Sequence, residues 1–147
     1  MDFRINFFTE NLTTTIPGKR ILRIWIRKII EAERHTPGEI NIILCDDTFL
    51  LKLNKRFLKK RTLTDIITFP TNENTELISG DLYISRERVK ENAHKYNSTI
   101  FNELSRVMIH GILHLLGYAD ENEKEKDIMR RKEEKCLHIL NNLQSSK

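Results

Sequence analysis

The segment that most constrains this chain is His110-Gly111-Ile112-Leu113-His114-Leu115-Leu116-Gly117-Tyr118-Ala119-Asp120. Two histidines stand four apart in a helical stretch, and residues i and i+4 share one helix face. Two imidazoles placed that way can both reach one ion at roughly 2.0–2.1 Å. Gly117 follows, and glycine takes the left-handed conformation without steric cost, so the chain can leave the helix sharply there. That turn can bring Asp120 back over the histidine face, and a carboxylate is the third common kind of zinc ligand. Three protein ligands leave a fourth position open for a water, the pattern of a catalytic rather than a structural site. The competing reading is two core histidines on an apolar helix, with Asp120 capping the next helix; the joint spacing of His, His, Gly and Asp favours ligands.

The spacing H-x-x-x-H-x-x-G-x-x-[H/D] is that of metzincin-type zinc proteases, which carry glutamate directly after the first histidine as general base. Here that position is Gly111, which can neither take nor give a proton. The coordination frame is present and the protease's base is absent.

Hydrophobic periodicity places this segment within an α+β domain spanning residues 1–147. Residues 3–8 alternate and read as a strand, and Pro17-Gly18 marks a turn. From Lys19 to Arg34 the period is helical, with Leu22, Trp25, Ile26, Ile29 and Ile30 on one face. Pro37-Gly38 is expected to end that unit, before a buried strand over 39–45. Asp46 or Asp47 caps a helix over 47–58; strands follow at 64–69 and 80–84. Ser85 caps a helix over 86–96, Thr99 one over 100–116, and a charged terminal helix runs over 121–143. The expected architecture is a four-stranded mixed sheet covered by helices, with the metal site on the long helix.

At 39% apolar and 31% charged, the chain reads as soluble and globular. No apolar run approaches the ~20 residues of a membrane helix, and the start carries no secretory pattern. Cys45 and Cys136 belong to no C-x-x-C pair and read as reduced thiols, so a cytoplasmic location is expected. The spacing leaves the oligomeric state open.

The stretch from His110 to Tyr118 resembles, residue for residue, the H-G-x-L-H-L-x-G-Y signature of the YbeY endoribonucleases. Upstream, Leu53-Asn54, then Thr64-Asp65-Ile66-Ile67-Thr68-Phe69-Pro70, then Gly80-Asp81-Leu82-Tyr83-Ile84 match the family's other blocks in order. The resemblance implies an α+β metal-dependent hydrolase of single-stranded RNA, acting in 16S ribosomal RNA 3′-end processing and ribosome quality control. The ligand set His110, His114 and Asp120 itself is read as holding one zinc ion per chain. Two departures stand out. Asp120 occupies the place of the family's usual third histidine, and Leu58 follows Phe57 where the family tends to carry arginine.

Lys52, Lys55, Arg56, Lys59, Lys60 and Arg61 crowd into ten residues. Clustered basic side chains neutralise phosphates and release counterions, although a charge run is more often a solvated helix face. Because this run falls in the block of the family's arginine, Arg56, Lys59, Lys60 and Arg61 are taken as candidate RNA contacts. Asp65 and Asp81 read as turn formers, with Asp65 a candidate partner behind the metal ligands. Glu103 reads as a salt-bridging residue at the core edge. Three functions compete: a metal-dependent endoribonuclease, a metallopeptidase whose base comes from elsewhere, and a non-catalytic ribosome assembly factor with a structural metal. The first needs no glutamate beside His110, because a bound ion can supply hydroxide near neutral pH and neutralise a scissile phosphate.

Overall fold

The computed structural model describes residues 4–57, 64–71 and 76–145. Among the described residues nine elements follow in the expected order: β1 (Arg4–Glu10), α1 (Lys19–Ala32), β2 (Thr36–Cys45), α2 (Asp47–Phe57), β3 (Ile66–Pro70), β4 (Leu77–Ser85), α3 (Arg86–Lys95), α4 (Ile100–Leu115) and α5 (Glu123–Ser145). The sheet order is β1-β2-β4-β3. β1 and β2 pair in parallel across the α1 connection, β2 and β4 also in parallel, and β3 runs antiparallel to β4 at one edge.

Helix ends follow local chemistry. Asp46, rather than Asp47, caps α2 by accepting from the Phe49 amide at 2.8 Å. Ser85 accepts from the Arg88 amide at the start of α3, and Thr99 from the Asn102 amide at the start of α4. Pro37-Gly38 does not end an element. Both residues lie inside β2, where the pairing with β4 shifts register between Pro37 and Ile40. A bulge absorbs the proline that a regular ladder would reject. Asp81 also departs from the turn reading. It lies within β4 and accepts from the Asn41 side chain, itself bonded to Asn6, across three strands.

Alternation along the strands divides two cores. Ile40, Ile42, Leu44, Leu82 and Ile84 meet α1, α4 and α5 in the main core. Cys45, Ile67, Phe69 and Tyr83 face the other way and meet Leu50 and Leu53 of α2. Trp25 is fully buried, and its indole N–H donates to the Cys136 carbonyl at 2.7 Å, tying α1 to α5. On the α5 stripe, Met129, Cys136 and Leu140 are buried while Ile128 stays exposed.

Candidate metal centre

α4 lies very close to the sheet, and two glycines make that approach possible. A Cβ at Gly111 would stand 2.6 Å from Leu82 Cδ2 and 2.7 Å from Ile66 Cδ1. A Cβ at Gly80 would stand 2.9 Å from Leu115 Cδ2 of α4. Gly111 is therefore a packing residue, and any side chain there, the protease's glutamate included, would displace the ends of Leu82 and Ile66. The close approach sets His110 and His114 against the edge strand β3, where Thr64, Asp65, Ile66, Thr68, Pro70, Leu115 and Asp120 complete an open cleft of about 460 Å³.

Gly117, at φ +103°, turns the chain out of α4. Tyr118 then anchors the returning loop: its hydroxyl donates to Glu33 Oε1 at 2.8 Å, and Lys132 of α5 reaches Glu33 Oε2 at 2.6 Å. Burial works against a charge on Glu33, but Lys132 and Tyr118 outweigh it and hold the carboxyl below its ordinary range. The strut joins the end of α1, the loop and α5, and so fixes where Asp120 returns.

Asp120 Oδ2 lies 3.2 Å from His110 Nε2 and 3.5 Å from His114 Nε2, and the two imidazole nitrogens are 3.1 Å apart. Four donors placed tetrahedrally at zinc's usual bond lengths stand about 3.3 Å from one another. The three donors thus already have the spacing of three corners of such a shell, and they could hold a metal ion. All three residues line the cleft.

His110 is further held from behind. Its Nδ1 donates to Glu133 Oε2 at 2.5 Å, and the other Glu133 oxygen accepts from Arg106 Nη1 at 3.4 Å. Arg106 also grips both oxygens of Glu103 through Nε, at 3.1 Å, and Nη2. Burial disfavours charge on His110, but the Glu133 hydrogen bond and the carboxylates of Glu133, Asp120 and Asp65 outweigh it and raise its proton affinity above that of an ordinary imidazole. The same negative surroundings favour a divalent cation in the proton's place.

The expected ligands His110, His114 and Asp120 therefore converge, and Asp65 lines the same cleft. Glu103 is the salt-bridging residue its position implied, buried against Arg106. Arg56 is not among the cleft-lining residues. It is exposed on α2, across the sheet from α4, with its guanidinium 5.3 Å from the Phe57 ring centre. Lys59, Lys60 and Arg61 lie outside the described residues. Glu133 was missed. It sits on the buried α5 stripe at Met129, Glu133, Cys136 and Leu140, and a charge at a core position of that period is the signal that could have marked it.

An α+β layer with a His-His-Asp cluster at a sheet-edge cleft defines a class of candidate metal-dependent hydrolases. Comparison with known proteins narrows that class. The family model for endoribonuclease YbeY matches residues 8–141. An endoribonuclease YbeY from Christiangramia forsetii is 47% identical over 136 residues, covering 92% of this chain and 94% of the relative. One from Cytophaga hutchinsonii is 42% identical over 135 residues, with coverage of 92% and 94%. The solution structure of TM1509 from Thermotoga maritima superposes with a TM-score of 0.68 at 28% identity, over 97% of this chain and 93% of that one. This chain belongs to the endoribonuclease YbeY family.

Proposed function

We propose that this chain is a metal-dependent endoribonuclease that cuts single-stranded RNA during ribosomal RNA maturation, including formation of the 16S 3′ end. His110, His114 and Asp120 hold one zinc ion. The observation that carries the reading is the set of three donors 3.1–3.5 Å apart at an open cleft, in a chain of this family. When bound, the ion supplies Lewis acidity toward the scissile phosphate and lowers the pKa of a water in the open position. The chain's own residues do the rest. His110, His114 and Asp120 fix where the reacting phosphate stands. Thr64, Asp65 and Thr68 give the cleft wall its polar groups on the β3 side. The basic run at Arg56, Lys59, Lys60 and Arg61 enters the chain directly before Thr64 and Asp65, and its charge suits an RNA backbone leading into the cleft.

Residues 1–147 are read as one such domain working in the cytoplasm in contact with the ribosome or its proteins. Cys45 and Cys136 are free, buried thiols, which suits a reducing compartment. The metallopeptidase reading has no support at Gly111, where a side chain would collide with Leu82 and Ile66. The test offers the purified protein an end-labelled single-stranded RNA, the same RNA as a duplex, and casein, each with and without chelator. Internal cuts confined to the single strand, lost with chelator and restored by zinc, are expected. Cleavage of casein with the RNA intact would overturn the proposal.

A further inference from the structure

We infer that Glu133, on α5, is a positioning residue for the metal centre: it accepts the Nδ1 proton of His110 and so presents that ring's Nε2 to the ion, while Arg106 and Glu103 hold Glu133 in place. The inference rests on the metal-centre reading above. A neutral imidazole carries one proton, and only its unprotonated nitrogen can bind a metal. Free histidine favours the tautomer with the proton on Nε2, the wrong one for this site. His110 Nε2 is the nitrogen that faces His114 at 3.1 Å and Asp120 at 3.2 Å, whereas Nδ1 faces Glu133 at 2.5 Å. A carboxylate accepts and does not donate, so this contact places the proton on Nδ1.

The carboxylate cannot swing away. Glu133 is only 4% exposed, and its two oxygens meet different donors, His110 on one and Arg106 on the other. Arg106 is itself clamped by Glu103, which is 3% exposed. A chain of four side chains thus runs from the start of α4, across the α4–α5 interface, to the metal-facing nitrogen. Were the cluster only a fastener between helices, the orientation of the His110 ring and the position of its proton would be incidental to it.

Glu133→Gln separates the two roles. An amide offers one acceptor and one donor. With its oxygen toward His110, its NH2 confronts Arg106. With its oxygen toward Arg106, its NH2 confronts Nδ1 and drives the ring's proton to Nε2. Zinc affinity, measured on the full chain by competition with a chromophoric chelator, is expected to fall about 10- to 100-fold in this variant, the usual cost of losing such a partner. Long-range proton–nitrogen NMR of the metal-free wild type, with labelled histidine and at a pH where the ring is neutral, is expected to show His110 already protonated at Nδ1 and not at Nε2, before any ion selects the tautomer. That measurement decides the matter even if Glu133→Gln fails to fold. Wild-type zinc affinity in Glu133→Gln, or a neutral His110 ring protonated at Nε2 in the metal-free wild type, would overturn the inference while leaving the metal centre standing. A wild type that takes up no zinc would defeat the metal centre and this inference with it.

Discussion

Asp120 is the residue on which the site closes. In the proposed centre His110 and His114 come from one helix face, and two ligands from one face would leave an ion open to removal; the carboxylate returning after Gly117 would supply the third corner. Asp120→Ala should therefore lose zinc to a moderate chelator that leaves the wild type loaded, whereas Asp120→His, which supplies the ligand usual in the family, should keep it. Equilibrium dialysis reads both, and unaltered affinity in Asp120→Ala would reduce that residue to a loop carboxylate. The cysteines make a second prediction. Burial, aided by nearby acids, pushes the Cys45 thiol up to about 12, and burial pushes Cys136 up to about 11. Both groups are held above their ordinary 9.0, so in the native protein neither is a thiolate at neutral pH. Alkylation at pH 8 should be slow when folded and fast in denaturant. The unfolded chain releases these protons first, so the stability they contribute is full below 9.0 and is lost as the pH rises through about 11 and about 12. Rapid native alkylation would contradict the burial.

Elements carry the site by their ends and their spacing. Thr99 caps α4 at the end far from the histidines, and Thr99→Ala should lower stability by about 1 kcal/mol in urea unfolding while leaving zinc affinity unchanged. Gly111→Ala acts in the middle of the same helix. Its methyl would collide with Leu82 and Ile66, and overpacking of this kind costs about 1–3 kcal/mol. It should also loosen zinc binding, because making room for the methyl shifts Leu82 and Ile66 against α4 where it carries the histidines. Equal zinc affinity in Gly111→Ala and wild type would show that the close approach does not set the ligand geometry. Much of this level was legible in the sequence. The α1 stripe at Leu22, Trp25, Ile26, Ile29 and Ile30 is buried as its period implied, and Ser85 and Thr99 cap as their types implied. Pro37-Gly38 misled because a turn signal cannot tell a loop from a bulge inside a strand. Glu133 was hidden because one glutamate in a charged helix looks like any other until tertiary packing shows which face turns inward. The reason for glycine at 111 was equally hidden, since it depends on the distance between α4 and the sheet.

At the scale of the whole molecule, the proposed metal ligands face the edge strand β3, and a basic run precedes that strand in the sequence. The sheet places α4 and α2 on opposite faces, and β3, the edge strand lining the cleft, follows the basic run in the chain. If that run meets RNA, changing Arg56, Lys59 and Arg61 together to Ala should flatten the salt dependence of single-strand binding, by roughly 0.7 in log–log slope for each phosphate no longer neutralised. An unchanged slope would leave those residues as a solvated face. The most direct test of the account titrates zinc into metal-free protein and follows bound metal and internal cleavage of single-stranded RNA together, beside His114→Ala. Cleavage should rise in step with occupancy and level off at one ion per chain, with His114→Ala neither loading nor cutting. Full cleavage by metal-free protein, or undiminished cleavage by His114→Ala, would contradict it.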